Sequence, residues 1–307
     1  MAVKEDFYYQ SANGQNRIHG IMWVPDGEVK AILQISHGMV EHMERYDEFA
    51  GFLTDRGILV IGNDHLGHGR SAASEDDWGY FGRDGSRMVV EDLHAVTERF
   101  QKEYPDVKYF LLGHSMGSFM ARRYIMNYGE RINGVIIMGT GTQPKLRIIG
   151  GRLLGGVLKV FYGERHRSGL MDRLMFGNFD RDFRTLEASS WLSKDPEIVK
   201  KYSRDPACGF KFTLNGMDTL FTTLLYIQNE KNIAKIPVSL PVLITSGDKD
   251  PVGKCGTGVR EVYEAYKSHG VEDITIKLYS GDRHEILNET DRDQVYEDIY
   301  RWITGHI

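Results

Sequence analysis

The sequence has very little cysteine. Its 307 residues include only Cys208 and Cys255, which lie far apart and in no metal-ligand spacing. This argues against a disulfide scaffold and against a cysteine metal site. We expect two reduced thiols, as in a cytosolic protein.

Long apolar runs and a strong charge of one sign are also missing. No uninterrupted apolar run approaches the ~20 residues that a membrane-spanning helix needs. The first residues, 1–6, carry charge where a signal peptide would be apolar. A formal net charge of −5 gives no reason to expect nucleic acid as a partner. We therefore expect a cytoplasmic protein that is at most peripheral to a membrane.

Short apolar runs alternate with helical stripes over much of the chain. One such stripe consists of Val89, Leu93, Val96 and Phe100. This alternation predicts an α/β fold with a mostly parallel eight-stranded sheet and helices on both faces. An Asn13-Gly14 turn joins the first two strands into a hairpin. The predicted strands are residues 6–12, 17–24, 30–36, 58–61, 134–139, 241–246 and 274–279, and a run that begins at Lys108.

The alternation stops near Gly141 and resumes near Pro241. The residues between them have a mainly helical pattern that is rich in aromatic and basic side chains. We interpret residues 142–236 as an inserted helical segment, called the cap below. Residues 1–141 and 237–307 are then the two parts of the core.

Gly113-His114-Ser115-Met116-Gly117 follows an apolar strand and precedes a helix-forming run. The pattern G-x-S-x-G in this context predicts a nucleophile elbow, in which a strained turn exposes the serine hydroxyl. The two glycines remove side chains where strand and helix crowd together. Ser115 is therefore the candidate nucleophile.

A serine hydroxyl needs an adjacent base, which is in turn oriented by an acid. Behind such an elbow the acid and then the histidine follow in loops after later strands. His284 occupies the loop after the last predicted strand. Asp248 and Asp250 both follow the preceding strand; we choose Asp250, because Pro251 fixes the chain after it, with Asp248 as the alternative.

Acyl transfer also needs hydrogen-bond donors for the oxyanion that forms. One donor is the backbone N–H of the residue after the nucleophile, here Met116. The other donor comes from the loop after an early strand, and the segment His37-Gly38-Met39 fits that position. The candidate oxyanion donors are the N–H groups of Met39 and Met116.

Four motifs together resemble one family. They are the segments 37–46 (HGMVEHMERY), 63–71 (NDHLGHGRS), 113–117 (GHSMG) and 282–289 (DRHEILNE). They are similar to the monoacylglycerol lipase and lysophospholipase branch of the α/β-hydrolases, which are serine aminopeptidase S33-like hydrolases. The resemblance implies that Ser115, Asp250 and His284 form the triad and that no cofactor is needed.

Three functions are compatible with these motifs. The first is a serine ester hydrolase acting on a single-acyl lipid, such as a monoacylglycerol or lysophospholipid, or on short-chain esters generally. The second is an aminopeptidase, which needs an acidic cap residue such as Glu164, Asp172 or Asp180. The third is an inactive hydrolase fold that serves as a binding module; the complete residue set argues against it.

A metal site at Asp64, His65 and His68 matches a ligand set in composition only.

The front of the cap carries an apolar stripe at helical spacing, and basic residues at its edge. Such a pattern is typical of a helix that lies on a lipid surface, although stripes at this spacing more often pack onto a core. We expect a lipid-facing gate that contacts a membrane or micelle transiently, with Leu153 and Val157 binding substrate. The stripe is Leu146, Ile149, Leu153, Val157 and Val160, and the basic residues are Lys145, Arg152 and Lys159.

Overall fold

All eight predicted strands are present in the computed structural model, which describes residues 3–177, 179–183 and 188–307. Residues 178 and 184–187 of the predicted cap lie outside the described residues. The strands are β1 (Val3–Gln10), β2 (Arg17–Val24), β3 (Ala31–Ser36), β4 (Ile58–Asn63), β5 (Lys108–His114), β6 (Gly134–Met138), β7 (Val242–Gly247) and β8 (Ile274–Tyr279).

The strands form one sheet in the order β1-β2-β4-β3-β5-β6-β7-β8. β1 and β2 pair antiparallel, as do β2 and β4, and all other neighbours are parallel. The predicted mostly parallel eight-stranded sheet is therefore confirmed. Because parallel strands end at the same edge, the loops that follow β3, β5, β7 and β8 meet there.

Ten α-helices and six short 3-10 helices connect the strands within the described residues. The α-helices are α1 (Asp47–Thr54), α2 (Gly85–Glu103), α3 (Met116–Tyr128), α4 (Lys145–Tyr162), α5 (Gly169–Phe176), α6 (Pro196–Arg204), α7 (Leu214–Ile227), α8 (Glu230–Ile233), α9 (Thr257–Ser268) and α10 (Arg292–Thr304). The 3-10 helices are Met43–Tyr46, Gly69–Ser71, Glu75–Asp77, Gly129–Arg131, Arg181–Phe183 and Ile286–Asn288.

Side-chain alternation along the strands separates two apolar layers, one on each face of the sheet. Along β5, Tyr109 and Leu111 join the layer of α2, α3 and α9, whereas Phe110 and Leu112 join that of α1 and α10. Because both faces are covered, the central strands are apolar at almost every position.

The first predicted strand needs a correction at both ends. β1 pairs with β2 from Val3 opposite Val24 to Gln10 opposite Arg17, so it starts and ends earlier than residues 6–12. The following residues are drawn into the turn, because Asp92 of α2 accepts hydrogen bonds from Ser11 Oγ (2.9 Å) and Ala12 N–H (2.7 Å).

In the predicted cap the described residues form helices α4 to α8 and no strand. α7 is the helix that joins the cap to the core, since it packs on α2 and α3 as well as on α4. No α-helix among the described residues combines the length and the apolarity needed to cross a bilayer.

The first turn of α3 lies in direct contact with the end of β3. A Cβ built on Gly117 would stand 1.9 Å from the carbonyl oxygen of Ser36 and 2.5 Å from that of His37. One built on Gly113 would stand 2.3 Å from the carbonyl oxygen of Gly117 and 2.7 Å from Cβ of Ala121. Both glycines of the predicted elbow are therefore required by packing against backbone atoms that cannot move aside.

We predict that Gly117→Ala lowers the free energy of unfolding by about 3 kcal/mol or more, since the added methyl overlaps fixed carbonyl oxygens. The matched control is Gly150→Ala on α4, where an added Cβ meets nothing within 4 Å. That change should instead stabilise by up to ~1 kcal/mol through helix propensity. Urea unfolding followed by circular dichroism measures both changes, and a wild-type midpoint for Gly117→Ala would contradict the close packing.

Candidate active site

Ser115 occupies the turn between β5 and α3 and has left-handed backbone geometry, with φ 54° and ψ −119°. Positive φ is unfavourable for a residue with a side chain and is retained where the surroundings enforce it. Here the Ser115 N–H donates to the carbonyl oxygen of Met138 (3.0 Å), and its own carbonyl oxygen accepts from Ser118 Oγ (2.6 Å). The strained turn therefore holds the Ser115 side chain at the wall of a cavity.

His284 and Asp250 meet in the loops that follow β8 and β7. His284 Nδ1 lies 2.9 Å from Asp250 Oδ1, and both side chains are almost completely buried. Gly247 permits this approach, since a Cβ there would stand 2.1 Å from the Asp282 carbonyl oxygen and 2.2 Å from that of Arg283. The acid loop and the histidine loop are thus pressed together by their backbones.

The Asp250 carboxylate is held in its ionised form. It accepts hydrogen bonds from Ser246 Oγ (2.9 Å) and the Val252 N–H (2.8 Å). Burial alone would raise the pKa of Asp250, but the adjacent His284 and these donors lower it below the ordinary value. A buried anion beside Nδ1 fixes which imidazole nitrogen carries the proton.

Asp248, the alternative acid, points elsewhere. Its Oδ1 accepts the backbone N–H of Gly281 at 2.9 Å and lies 3.7 Å from Lys249 Nζ. It therefore braces the turn after β8, and the structure places Asp250 beside the imidazole.

The second nitrogen of His284 is available for chemistry. His284 Nε2 is buried and has no hydrogen-bond partner among the described residues. His284 and Ser115 line the same cavity. Two aromatic rings pack against the imidazole, those of Trp191 and His114, and the centroid of each lies 4.9 Å from the centroid of the His284 ring. An imidazole so held can accept a proton from a hydroxyl that approaches from the cavity.

Met39 and Met116, the residues of the two predicted oxyanion donors, line the same cavity as Ser115. Met116 is the first residue of α3, where N–H groups have no partner within the helix. Met39 follows Gly38, at which a Cβ would approach Ser115 Cβ to 3.2 Å. The next residue, Val40, has φ 53°, and its N–H donates to His68 Nε2 at 3.2 Å.

Asp64 and His68, two of the three residues that match a metal-ligand set in composition only, are already used in internal hydrogen bonds. Asp64 accepts from the N–H groups of Met43 and Arg70 and pairs with His19 Nδ1, at 2.8–2.9 Å. Burial opposes ionisation, but these donors lower the pKa of Asp64 to about 2. Burial also lowers the pKa of His68 to about 3, so the neutral ring can accept the Val40 N–H.

Another trio within the described residues brings ligand-type atoms within 4.8 Å of one another: His42, Asp205 and Cys208. His42 Nε2 and Asp205 Oδ2 already pair at 2.8 Å. Burial raises the pKa of the Cys208 thiol far above its ordinary value, which disfavours the thiolate that a metal needs.

The cavity has a volume of about 280 Å³ and lies between the strand ends and the cap. Polar side chains in its wall include Gln143, Arg147 and Asp172. Most of the wall is apolar, with contributions from Phe119, Ile148, Phe176, Trp191, Leu220 and Phe221. Such a chamber suits a ligand that has a hydrocarbon portion and few polar groups.

Leu153 and Val157 are separated from this cavity. They are 68% and 55% exposed and are not among the described residues that line it; α4 contributes Arg147 and Ile148 instead. The inner face of α4 packs at Gly151, where a Cβ would be 2.8 Å from the Phe221 ring. The apolar stripe, predicted either to pack on the core or to face lipid, therefore points outward.

Sequence reasoning missed the partners that surround His284. The Trp191 ring packs against the His284 ring at a tilt of 40°, and the Trp191 carbonyl oxygen accepts the His284 N–H at 3.3 Å. Arg45 forms ion pairs with Glu41, four residues before it, and with Glu285, the residue after His284. Trp191 and Arg45 lie far from His284 in sequence, and the only signal for the ion pairs was that Glu41, Arg45 and Glu285 all fall inside the quoted motifs.

Comparison with known proteins gives a consistent result. A family model described as serine aminopeptidase, S33 matches residues 27–291. The monoacylglycerol lipase of Mycolicibacterium smegmatis is 27% identical over 96% of this chain and 95% of its own. The human monoglyceride lipase is 28% identical over 92% of this chain and 85% of its own.

Solved structures also match over the full length. A thermostable carboxyl esterase from Bacillus coagulans, solved in complex with glycerol, superposes with a TM-score of 0.90 at 31% identity. The match covers 100% of this chain and 99% of the esterase. The fold is therefore that of the α/β-hydrolases.

Proposed function

The chain belongs to the serine aminopeptidase S33 family, and from that premise we propose that it hydrolyses ester bonds of single-acyl lipids, with monoacylglycerol as the substrate class. The observation that carries this proposal is the buried Asp250–His284 pair, because His284 Nε2 has no hydrogen-bond partner among the described residues and His284 lines the same apolar cavity as Ser115.

In the proposed mechanism, Ser115 Oγ attacks the ester carbonyl carbon while His284 Nε2 takes its proton. Asp250 keeps Nδ1–H in place and stabilises the imidazolium that forms. The N–H groups of Met39 and Met116 bind the oxyanion. The alcohol leaves with the proton from His284, and water repeats the same steps on the acyl-enzyme.

The substrate class rests on the cavity and on what related proteins are called. An apolar chamber of about 280 Å³ accommodates a folded acyl portion, and two full-length relatives bear the name monoacylglycerol or monoglyceride lipase. Lysophospholipids and short-chain esters share the single ester and belong to the same test.

An aminopeptidase is the second candidate, because one of the three acids considered for it lines the cavity. That acid is Asp172, and burial raises its pKa above the ordinary value. Glu164 instead accepts a hydrogen bond from Tyr80 (2.5 Å), and Asp180 accepts from the Ser189 and Trp191 N–H groups (3.0 and 3.1 Å). Of the three acids, only Asp172 is therefore placed to meet a substrate ammonium group in the cavity.

The cap is the proposed contact with a lipid surface. The stripe of α4 is exposed by 84% at Leu146, 68% at Leu153 and 83% at Val160. Leu170 and Leu174 of α5 are also exposed, by 52% and 53%. A large amount of exposed apolar surface on neighbouring helices of the chain is typical of a protein that binds another molecule or a membrane.

The charges beside the stripe refine the gate hypothesis. Arg152 and Lys159 form ion pairs with Asp218 of α7 at 2.8 and 3.2 Å, so they brace α4 against its neighbour. Lys145 and Arg147 make no ion pair with any described residue and remain for lipid head groups.

We predict that Ser115→Ala abolishes both fluorophosphonate labelling and hydrolysis of p-nitrophenyl and monoacylglycerol esters. The loss in kcat should be on the order of 10⁴-fold or more, because the attacking oxygen is removed. Turnover of an aminoacyl-naphthylamide in preference to the esters would support the aminopeptidase. A wild-type protein that neither labels nor turns over any of these substrates would identify a binding module.

We predict that Asp250→Asn lowers kcat by on the order of 10⁴-fold, since an amide stabilises the wrong imidazole tautomer. Asp248→Asn is the matched control, because that carboxylate contacts Gly281 and Lys249 and not the imidazole. Initial rates with a soluble p-nitrophenyl ester provide the measurement. Comparable losses for the two variants would exclude Asp250 as the specific acid.

We predict that the double change Leu153→Ser and Val157→Ser slows hydrolysis of micellar long-chain monoacylglycerol on the order of tenfold. The physical reason is the loss of apolar burial in the lipid: about 0.7 kcal/mol for each partly inserted side chain, a fraction of the ~1.5–3 kcal/mol of full burial, amounts to about tenfold for the pair. A soluble short ester should be hydrolysed at the wild-type rate, because neither residue lines the cavity.

Val238→Ser is the control for that double change, since Val238 is an apolar residue outside the cap and is 48% exposed. It should affect neither substrate. Equal losses on micellar and soluble substrates at unchanged thermal stability would show that the stripe acts through the fold and not through lipid contact.

A further inference from the structure

Arg45 forms the centre of a buried ion network next to the triad. Its guanidinium binds Glu285 in bidentate fashion, with Nη1–Oε1 at 2.8 Å and Nη2–Oε2 at 2.6 Å. Nη1 also lies 2.6 Å from Glu41 Oε2. The Arg45 side chain is only 11% exposed and faces the Tyr202 ring of α6, 4.9 Å from its centroid. Planar, bidentate pairing of this kind fixes orientation as well as distance.

One end of the network reaches the loop that carries Met39. Glu41 Oε1 accepts the backbone N–H of Gly38 and the Tyr46 hydroxyl, the latter at 3.0 Å. The Glu41 contact therefore fixes the orientation of the peptide unit that enters Gly38. The next peptide unit carries the Met39 N–H, and its Gly38 carbonyl oxygen lies 2.7 Å from His37 Nδ1. Glu41 thus positions the start of the loop that presents Met39.

The other end of the network reaches the histidine loop. Glu285 directly follows His284, and its N–H donates to the Leu192 carbonyl oxygen of the cap at 2.7 Å. Its Oε2 also accepts from Asn288 Nδ2 at 3.0 Å. The Glu285 side chain is thus fixed on the same segment that carries the proposed base.

His114 closes the network behind the nucleophile. Its Nδ1 lies 3.3 Å from Glu41 Oε1, and its Nε2 lies 3.3 Å from the carbonyl oxygen of His284. Burial would lower the pKa of His114, but the adjacent Glu41 raises it above the ordinary value. A positive charge on His114 would help to balance the two buried carboxylates beside the single guanidinium.

We infer that Arg45 is a positioning residue for acyl transfer. By binding Glu41 and Glu285 at the same time, Arg45 holds the Met39 oxyanion donor and the His284 base at a fixed separation. Arg45 is not among the described residues that line the substrate cavity, so its effect passes through these two carboxylates. The inference rests on the proposed esterase function and extends it to the control of transition-state geometry.

The test compares Arg45→Lys with wild type on a soluble p-nitrophenyl ester, with every rate divided by the active sites titrated with a fluorophosphonate. Lysine keeps the charge but cannot bind Glu285 in bidentate fashion while it also reaches Glu41. We expect kcat per active site to fall on the order of tenfold to a hundredfold, as for a small misplacement of reacting groups. KM should stay within about twofold, because the substrate cavity is unchanged.

An alkyl boronic acid supplies the second readout, since its boron becomes tetrahedral when the serine oxygen adds to it, and one boronate oxygen then occupies the oxyanion site as in the transition state. Its inhibition constant should rise by a factor similar to the loss in kcat/KM. The matched control is Arg70→Lys, whose guanidinium bridges Asp6 and Glu44 at the surface and is 48% exposed. That variant should keep wild-type kcat per active site.

If Arg45→Lys does not fold, Glu285→Gln is tested in its place. That variant keeps the shape of the Glu285 side chain and the Arg45–Glu41 ion pair, and it weakens the interaction of Arg45 with residue 285. A lower melting temperature with unchanged kcat per active site and unchanged boronate affinity would overturn the inference, because Arg45 would then be purely structural. If wild type itself neither labels at Ser115 nor hydrolyses esters, the proposed function fails, and this inference fails with it.

Discussion

The first turn of α3 rests on the carbonyl oxygens at the end of β3, and the arrangement of the candidate site depends on that contact. Gly117 allows the approach to Ser36 and His37, and the approach forces Ser115 into a positive-φ turn. Ser115, Met116 and Met39 line one cavity, and a Cβ built on Gly38 would stand 3.2 Å from Ser115 Cβ. The strain is local, and it is offset by packing on both faces of a sheet whose central strands are buried.

What could be predicted from the sequence was the part that depends on neighbours in the chain. Strand and helix periodicity, the elbow glycines and the order of Ser115, Asp250 and His284 are all local patterns, and the fold they imply is confirmed. The Arg45–Glu285 pair joins residues 240 positions apart, and no periodicity reports such a contact. The same holds for Trp191 on His284, because the cap must fold back over the strand ends before the two rings can meet.

The cap helix α4 contains four glycines and nevertheless runs unbroken from Lys145 to Tyr162. Gly151 has a packing reason, because it lets α4 approach Phe221 of α7, whereas at Gly150 and Gly156 an added Cβ would meet nothing within 4 Å. Each of the four glycines lowers the intrinsic stability of the helix, and packing against α7 offsets part of that loss on the inner face only. Because the outer face is apolar and exposed, we expect the stability of α4 to depend on what covers that face.

The buried polar groups around the cavity are kept separate from the apolar wall that faces a ligand. The deep polar groups are either paired, as in the Arg45 network and Asp250–His284, or kept neutral by burial, as in His65 and His68. The chamber itself presents mainly apolar side chains to a ligand. In the proposed mechanism an acyl chain displaces water at little electrostatic cost, oriented N–H dipoles act on the reacting carbonyl, and the buried Asp250 carboxylate acts on the His284 imidazole. The constraint that remains is geometric, because the proposed donors and the proposed base sit on different loops, and the inferred role of Arg45 is to hold those loops at a fixed separation.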